Sequence, residues 1–276
     1  MSISVHTNKP ALIALQNLNK TNDQLEEVQN HINTGLKIAS AKDNASVWSI
    51  AQNQRADIGA LSAVKMSLDR ASSIADVSMT AGQSVSDLLV QLKEKVVASM
   101  DTSIDTASRS ALDSEFKSML GQIQQITGNS AFDGANLLNG SITGSIQFLA
   151  NAEASSYITL STQDMSLGGS VITVPPTASL ATVTLAGQIL AQLNASIVNV
   201  NQSLGALGSQ AKQIQSHADF VGKLSDTLQT GVGNLVDADM AKESASLQAL
   251  QVQQQLGAQA LSIANQAPQM ILSLFK

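Results

Sequence analysis

Two ladders of apolar and small residues, stepped alternately by three and four, constrain this chain more than any other feature. The first runs Leu61, Val64, Leu68, Ala71, Ala75, Ser78, Gly82, Val85, Leu89, Leu92, Val96. The second runs Leu193, Ile197, Val200, Leu204, Leu207, Ala211, Ile214, Ala218, Val221, Ser225, Leu228, Val232, Leu235. Such spacing keeps one stripe on one side of a long, slightly underwound helix. A stripe this long needs a partner, and each ladder is the obvious mate of the other. The sequence predicts a mainly α fold: a long antiparallel coiled-coil helical rod whose two chain ends lie side by side.

Composition agrees with thin helical seams rather than a thick core. Apolar residues make up 43% of the chain, but aromatics only 3%. Charged residues are 13%, about half the usual share of roughly 25%. Ser, Thr, Asn and Gln must then carry the surface, which suits packing against copies of the same chain. The net charge is −6 and no Lys/Arg cluster exists, which argues against nucleic acid. Cysteine is absent, so disulfides and thiolate metal sites are excluded together. No run of about 18 apolar residues suggests membrane insertion. The first residues lack a basic patch followed by an apolar stretch, so no cleavable signal peptide is expected.

Along the chain, Pro10 opens a helix striped by Leu15, Leu18, Leu25, Val28 and Ile32. Gly35 ends it. Asp43 and Asn44 supply caps for a helix over 45–99. Residues 101–109 read as a connection and 111–126 as a shorter helix. From Gly128 the chain is rich in Gly and Pro, with strand-like runs at 145–150, 156–162 and 171–174. A long helix returns over 185–235, breaks at 236–239, and a last helix runs from 241 to about 264, its end limited by Pro268. Leu256, Leu261, Ile263, Met270 and Leu274 make this last segment as apolar as the first, so the two ends should pair and still need neighbours.

Several ordered motifs then carry a resemblance to a known family. Asn33-Thr34-Gly35-Leu36-Lys37-Ile38-Ala39-Ser40-Ala41-Lys42-Asp43-Asn44-Ala45 and Phe132-Asp133-Gly134-Ala135-Asn136-Leu137-Leu138 stand in the first half. Asp237-Ala238-Asp239-Met240-Ala241-Lys242-Glu243 and Ala264-Asn265-Gln266-Ala267-Pro268-Gln269 stand in the second. In these the chain resembles bacterial flagellin over nearly its whole length, closest to short alphaproteobacterial flagellins. The resemblance implies a subunit that polymerises into the flagellar filament after type III export. The implied divisions are inner-tube helices at 1–40 and 237–276, rod helices at 41–127 and 185–236, and a β-hairpin outer segment at 128–184. The implied partners are copies of itself or paralogous flagellins, the export apparatus and its chaperone, and filament cap and hook-associated proteins. The implied location is the extracellular filament. A hook–filament junction protein shares the terminal pattern, and an intracellular coiled-coil scaffold is the remaining alternative.

Other residues carry blander readings. His6, His31 and His217 lie in separate segments without metal-ligand spacing. Asp237 and Asp239 sit at a helix start, where acids cap N–H groups rather than form a catalytic pair. No catalytic residue, metal or cofactor is expected. Ser141, Thr143 and Thr162 in the outer segment are candidates for O-glycosylation, as in some family members. Gly82 and Gly205 are places where neighbouring helices can approach closely.

Overall fold

The computed structural model describes the backbone of residues 8–274 and the side chains of residues 8–266. Among them the element order is α1 (Lys9–Thr34), α2 (Ala45–Ser99), α3 (Thr106–Asn129), β1 (Ala131–Phe132), β2 (Ala135–Asn136), β3 (Ser145–Leu149), β4 (Tyr157–Ser161), α4 (Val183–Val236) and α5 (Met240–Leu274). Two compact units result: residues 57–226, and residues 1–56 with 227–276.

In the 57–226 unit the first ladder is buried at every rung from Leu61 to Val96. On α4 every seventh residue is buried, through Leu193, Val200, Leu207, Ile214 and Val221. The intervening rungs Ile197, Leu204 and Ala211 are half-buried. The register between the helices is antiparallel and steady. Met79 meets Gly208, Gly82 meets Leu204, and Met100 meets Gly187, while the Ser86 hydroxyl donates to Asn201 Oδ1 at 3.4 Å. A Cβ placed on Gly82 would lie 2.8 Å from Leu204 Cδ2, so this glycine does allow close approach. Gly205 faces open space within the chain, and the expected close approach there has no intrachain counterpart.

A second seven-residue stripe on α4 is polar: Ser196, Ser203, Gln210 and His217. It holds irregular backbone that would otherwise lack partners. Ser196 Oγ accepts from the Thr173 amide at 3.0 Å. Gln210 accepts from the Ser161 amide and donates to Ser161 Oγ, both at 3.0 Å. His217 Nε2 lies 2.7 Å from the Ala150 carbonyl, which can only accept. α4 therefore seats two partners, α2 on its apolar side and the β-containing segment on its polar stripe. By length and composition α4 is apolar enough to pass for a membrane span, contrary to the expectation that nothing in the chain would. Its apolar rungs, however, form the seam just described.

α3 starts at Thr106 rather than Ala111. Asp105 caps it by accepting from the Ser108 amide at 2.7 Å, which shortens the preceding connection. Phe116, Leu120, Ile123 and Thr127 are its buried face. Arg109 reaches back to the carbonyls of Ser99 and Asp101, closing the turn out of α2. Strands β3 and β4 pair antiparallel with Ile146 opposite Leu160 and Phe148 opposite Ile158. The expected strand at 171–174 does not form, and within it only Ile172 bridges, to Leu167. Val171, Ile172 and Val174 are nonetheless buried, because Asn199 Nδ2 donates to the Val171 carbonyl and Ser196 holds Thr173. The run has found a helix rather than a strand edge.

In the other unit the buried apolar residues among those described are Ile38, Ala51, Val232 and Val236. α5 extends to Leu274, beyond the expected end near Ala264 and past Pro268. Proline removes one helical N–H and crowds one carbonyl. The good helix formers around it continue the helix across that single loss.

Candidate assembly surfaces

α1 and α5 pair antiparallel, and their mutual register is read from four contacts. Asn8 Nδ2 donates to the Ala264 carbonyl at 2.8 Å. Gly257 lies against Leu18, where an added Cβ would sit 3.2 Å from Leu18 Cδ1. Gln254 Nε2 donates to Asn22 Oδ1 at 2.8 Å. His31 Nδ1 lies 3.5 Å from Glu243 Oε1. Asn8 also caps α1 by accepting from the Ala11 amide, with Pro10 in the first turn.

The pairing is thin. α1 contains no buried residue, and neither does α5 over its described side chains. The residues expected at the assembly surface divide into two groups. Leu18, Leu25, Ile32 and Leu261 are half-buried on the α1–α5 seam. Leu15, Leu256 and Ile263 are 42%, 59% and 69% exposed. The side chains of Pro268, Met270 and Leu274 lie outside the described residues. Leu12, Ile13 and Val252 are also exposed. On α5 the half-buried Leu250, Gly257, Leu261 and Ala264 mark the seam, whereas Ala249, Val252, Leu256 and Ile263 are exposed. At 3.6 residues per turn the centres of these two sets lie about 120° apart around the helix. α5 thus carries two separate apolar stripes, one on the seam and one beside it.

Of the motif residues, Gly35, Asp43, Asn44, Asp237, Asp239 and Glu243 gather at a joint where α1 gives way to α2 and α4 to α5. Gly35 ends α1 with φ +70°, its N–H donating to the His31 carbonyl. Leu36 bridges Asp237. The amides of Lys37 and Ile38 both donate to the Val236 carbonyl, and the Ala238 amide to the Gly35 carbonyl. Asn44 caps α2 by accepting from Val47. Asp43 does not cap α2 as expected. Its Oδ2 accepts from the amides of Ala39 and Ser40 and from Ser40 Oγ, folding the loop on itself. The Ser40 amide chiefly, together with Ala39, the Ser40 hydroxyl and the nearby His31, holds the Asp43 carboxyl below its usual range. Asp239 caps α5 through the Ala241 and Lys242 amides. Asp237 belongs to the bridge instead, and Glu243 faces His31. Asn265 is exposed.

The Phe132–Leu138 motif sits in the other unit. Asp133 and Gly134, at φ +50° and +78°, form the two-residue turn between β1 and β2. Such hairpins demand the left-handed region at both positions, hence Asp-Gly. Asn136 is buried. Its Nδ2 donates to the Thr127 carbonyl and its Oδ1 accepts from Leu138 and Ser130. Of the candidate glycosylation residues, Ser141 already donates to Asn139 Oδ1 and Thr162 to the Gly144 carbonyl. Thr143 is exposed.

Comparison with known proteins supplies the family. The models for the bacterial flagellin N-terminal helical region and C-terminal helical region match residues 5–143 and 188–275. Flagellin FljJ of Caulobacter vibrioides is 52% identical, with 100% of this chain and 99% of that protein covered. A flagellin of Brucella melitensis is 39% identical over 99% of both chains. Among solved structures, a flagellar hook-associated protein from Vibrio parahaemolyticus shares the fold at a TM-score of 0.60, with 12% identity over 71% of this chain and all of that one. Two terminal helices thinly paired within the chain, the motif-built joint above them and these relatives lead to one statement: the chain belongs to the bacterial flagellin family, whose members are structural subunits of the flagellar filament.

Proposed function

We propose that this flagellin polymerises with copies of itself or of paralogous flagellins through the apolar faces of α1 and α5. The terminal segments 1–40 and 237–276 line the inner tube. The segments 41–127 and 185–236 form the layer around it, and 128–184 faces outward. The chain passes through the flagellar type III export apparatus with the help of a chaperone, without cleavage of a signal peptide. It folds at the filament tip beneath a cap protein, above hook-associated proteins, and acts as a structural and not a catalytic part. Of the outer hydroxyls, Thr143 is the one set for O-glycosylation, which intact-protein mass checks.

One observation carries the reading. Two paired helices with no buried side chain among those described leave Leu12, Ile13, Val252, Leu256 and Ile263 in solvent. Apolar surface left bare on a secreted subunit calls for a covering partner, and the open, head-to-tail association of identical subunits supplies one without end. Substituting Leu256→Ser with Ile263→Ser and following reassembly at neutral pH by electron microscopy tests it. Filaments should form from the parent chain. The variant should stay dispersed while the 57–226 unit melts at an unchanged temperature. Variant filaments of ordinary length and yield would overturn the proposal.

A further inference from the structure

Asn139 is the only asparagine in the sequence that is followed by glycine, and the loop around it is arranged for a reaction. We propose that Asn139 is a self-modifying site. The Gly140 backbone nitrogen displaces its side-chain amide while Ser141 donates to the reacting carbonyl, and the residue becomes aspartate or iso-aspartate. The proposal is independent of the assembly reading above.

Three features of the loop support it. Gly140 is exposed, at φ +69°, and carries no Cβ to crowd the approach to its nitrogen. Its amide has no backbone partner among the described residues, so the attacking atom is not tied up. Asn139 Oδ1 accepts from the Ser141 amide at 3.0 Å and from Ser141 Oγ at 2.5 Å. Both donors are aimed at the oxygen that becomes negative when Cγ is attacked, an arrangement that lowers the barrier. Asn136 in the same segment shows the contrast. It is buried, its Nδ2 donates to the Thr127 and Gly128 carbonyls, and Leu137 follows it.

The step balances without oxidant or reductant. The Gly140 nitrogen gives its proton to solvent and bonds to Asn139 Cγ. The Cγ–Nδ2 bond breaks, and the amide leaves as ammonia with a proton taken from water. Water then opens the cyclic imide at one of its two carbonyls. Cleavage at Cγ leaves aspartate in an ordinary backbone, and cleavage at the main-chain carbonyl leaves iso-aspartate.

The product alters its surroundings. The Leu137 and Leu138 carbonyls accept from the Gln163 and Met165 amides, both at 2.8 Å. The Asp164 carboxyl oxygens lie 3.1 Å from where a Gly140 Cβ would stand. A new carboxylate therefore adds negative charge near Asp164, and iso-aspartate inserts a methylene into the backbone beside this pairing. The Gln163 and Met165 amides should exchange hydrogen faster in aged chains than in fresh ones.

The experiment incubates the full chain, folded in neutral buffer or unfolded in urea, and follows the peptide carrying residue 139 by chromatography and mass. In the folded chain Asn139 should lose its amide before any other asparagine, with iso-aspartate appearing beside aspartate. Ser141→Ala should slow the folded chain by roughly two- to tenfold, the rate equivalent of one hydrogen bond, and leave the rate in urea unchanged. Ser141→Thr, which keeps a hydroxyl, should restore the folded rate, and Asn139→Gln should remove the product. A folded parent that retains its Asn139 amide overturns the proposal, as does an equal folded rate in the parent and in Ser141→Ala.

Discussion

Asp113 fastens the loop that leads into α4, and its removal should loosen the 57–226 unit by a predictable amount. The carboxylate is 14% exposed. Its Oδ1 accepts from the Leu180 amide at 2.6 Å and the Ser179 hydroxyl at 2.9 Å, and its Oδ2 meets the Lys117 ammonium at 2.7 Å. Leu180 is itself fully buried, so Asp113→Ala strands an amide in a shielded place. A hydrogen bond to a charged group contributes about 1.5–3 kcal/mol, and an orphaned buried donor costs about 1–3 kcal/mol. The exposed Lys117 end adds little. We expect a loss of about 2 kcal/mol, or roughly 4–8 °C in melting temperature for a unit of this size. Burial alone would raise the Asp113 pKa, but the Lys117, Leu180 and Ser179 contacts outweigh it and hold the group below its ordinary 3.8. A carboxyl depressed in the folded state contributes stability that is present above its unfolded value and lost as pH falls through the folded one. The gap between parent and Asp113→Ala should therefore be full at pH 7 and shrink below about pH 4. Urea unfolding of the two chains across that range measures it. A gap under about 0.5 kcal/mol at pH 7, or one that stays constant into acid, refutes the reasoning.

Three further substitutions probe the same unit. Leu207→Ala removes a fully buried rung of the α4 seam and should cost about 2–5 kcal/mol in urea unfolding, whereas Val198→Ala, on an exposed position of the same helix, should cost well under 1 kcal/mol. Gly134→Ala forces a side chain into φ +78° with open space around it. The loss should be about 1–2 kcal/mol from backbone strain alone, read as a lower melting temperature with unchanged helix content.

How much was legible in the residues depended on whether periodicity alone decided the outcome. The α2 seam was fully readable because its rungs are apolar or small and its start is marked by Asn44. The hairpin pairing of Ile146 and Phe148 with Leu160 and Ile158 was readable from alternation. The second face of α4 was not, because Ser196, Gln210 and His217 look like solvated residues until an irregular backbone needs their hydrogen bonds. Val171–Val174 looked like a strand because apolar runs bury equally well against a helix. The terminal assembly set was readable as apolar but not divisible: Leu18 and Leu15 differ only in angle around α1, and that angle has meaning only once α5 is placed. Asp43 and Asp237, both read as caps, serve the joint through pairings that depend on residues brought from opposite ends of the sequence.

The two stripes of α5 have a kinetic corollary. Since α1 covers one stripe within the chain, the other is left to neighbouring subunits, and the open head-to-tail association proposed for it gives no small closed oligomer as a resting point. Growth should show a lag that depends steeply on concentration, vanish below a threshold, and start at once when sheared fragments are added as seeds.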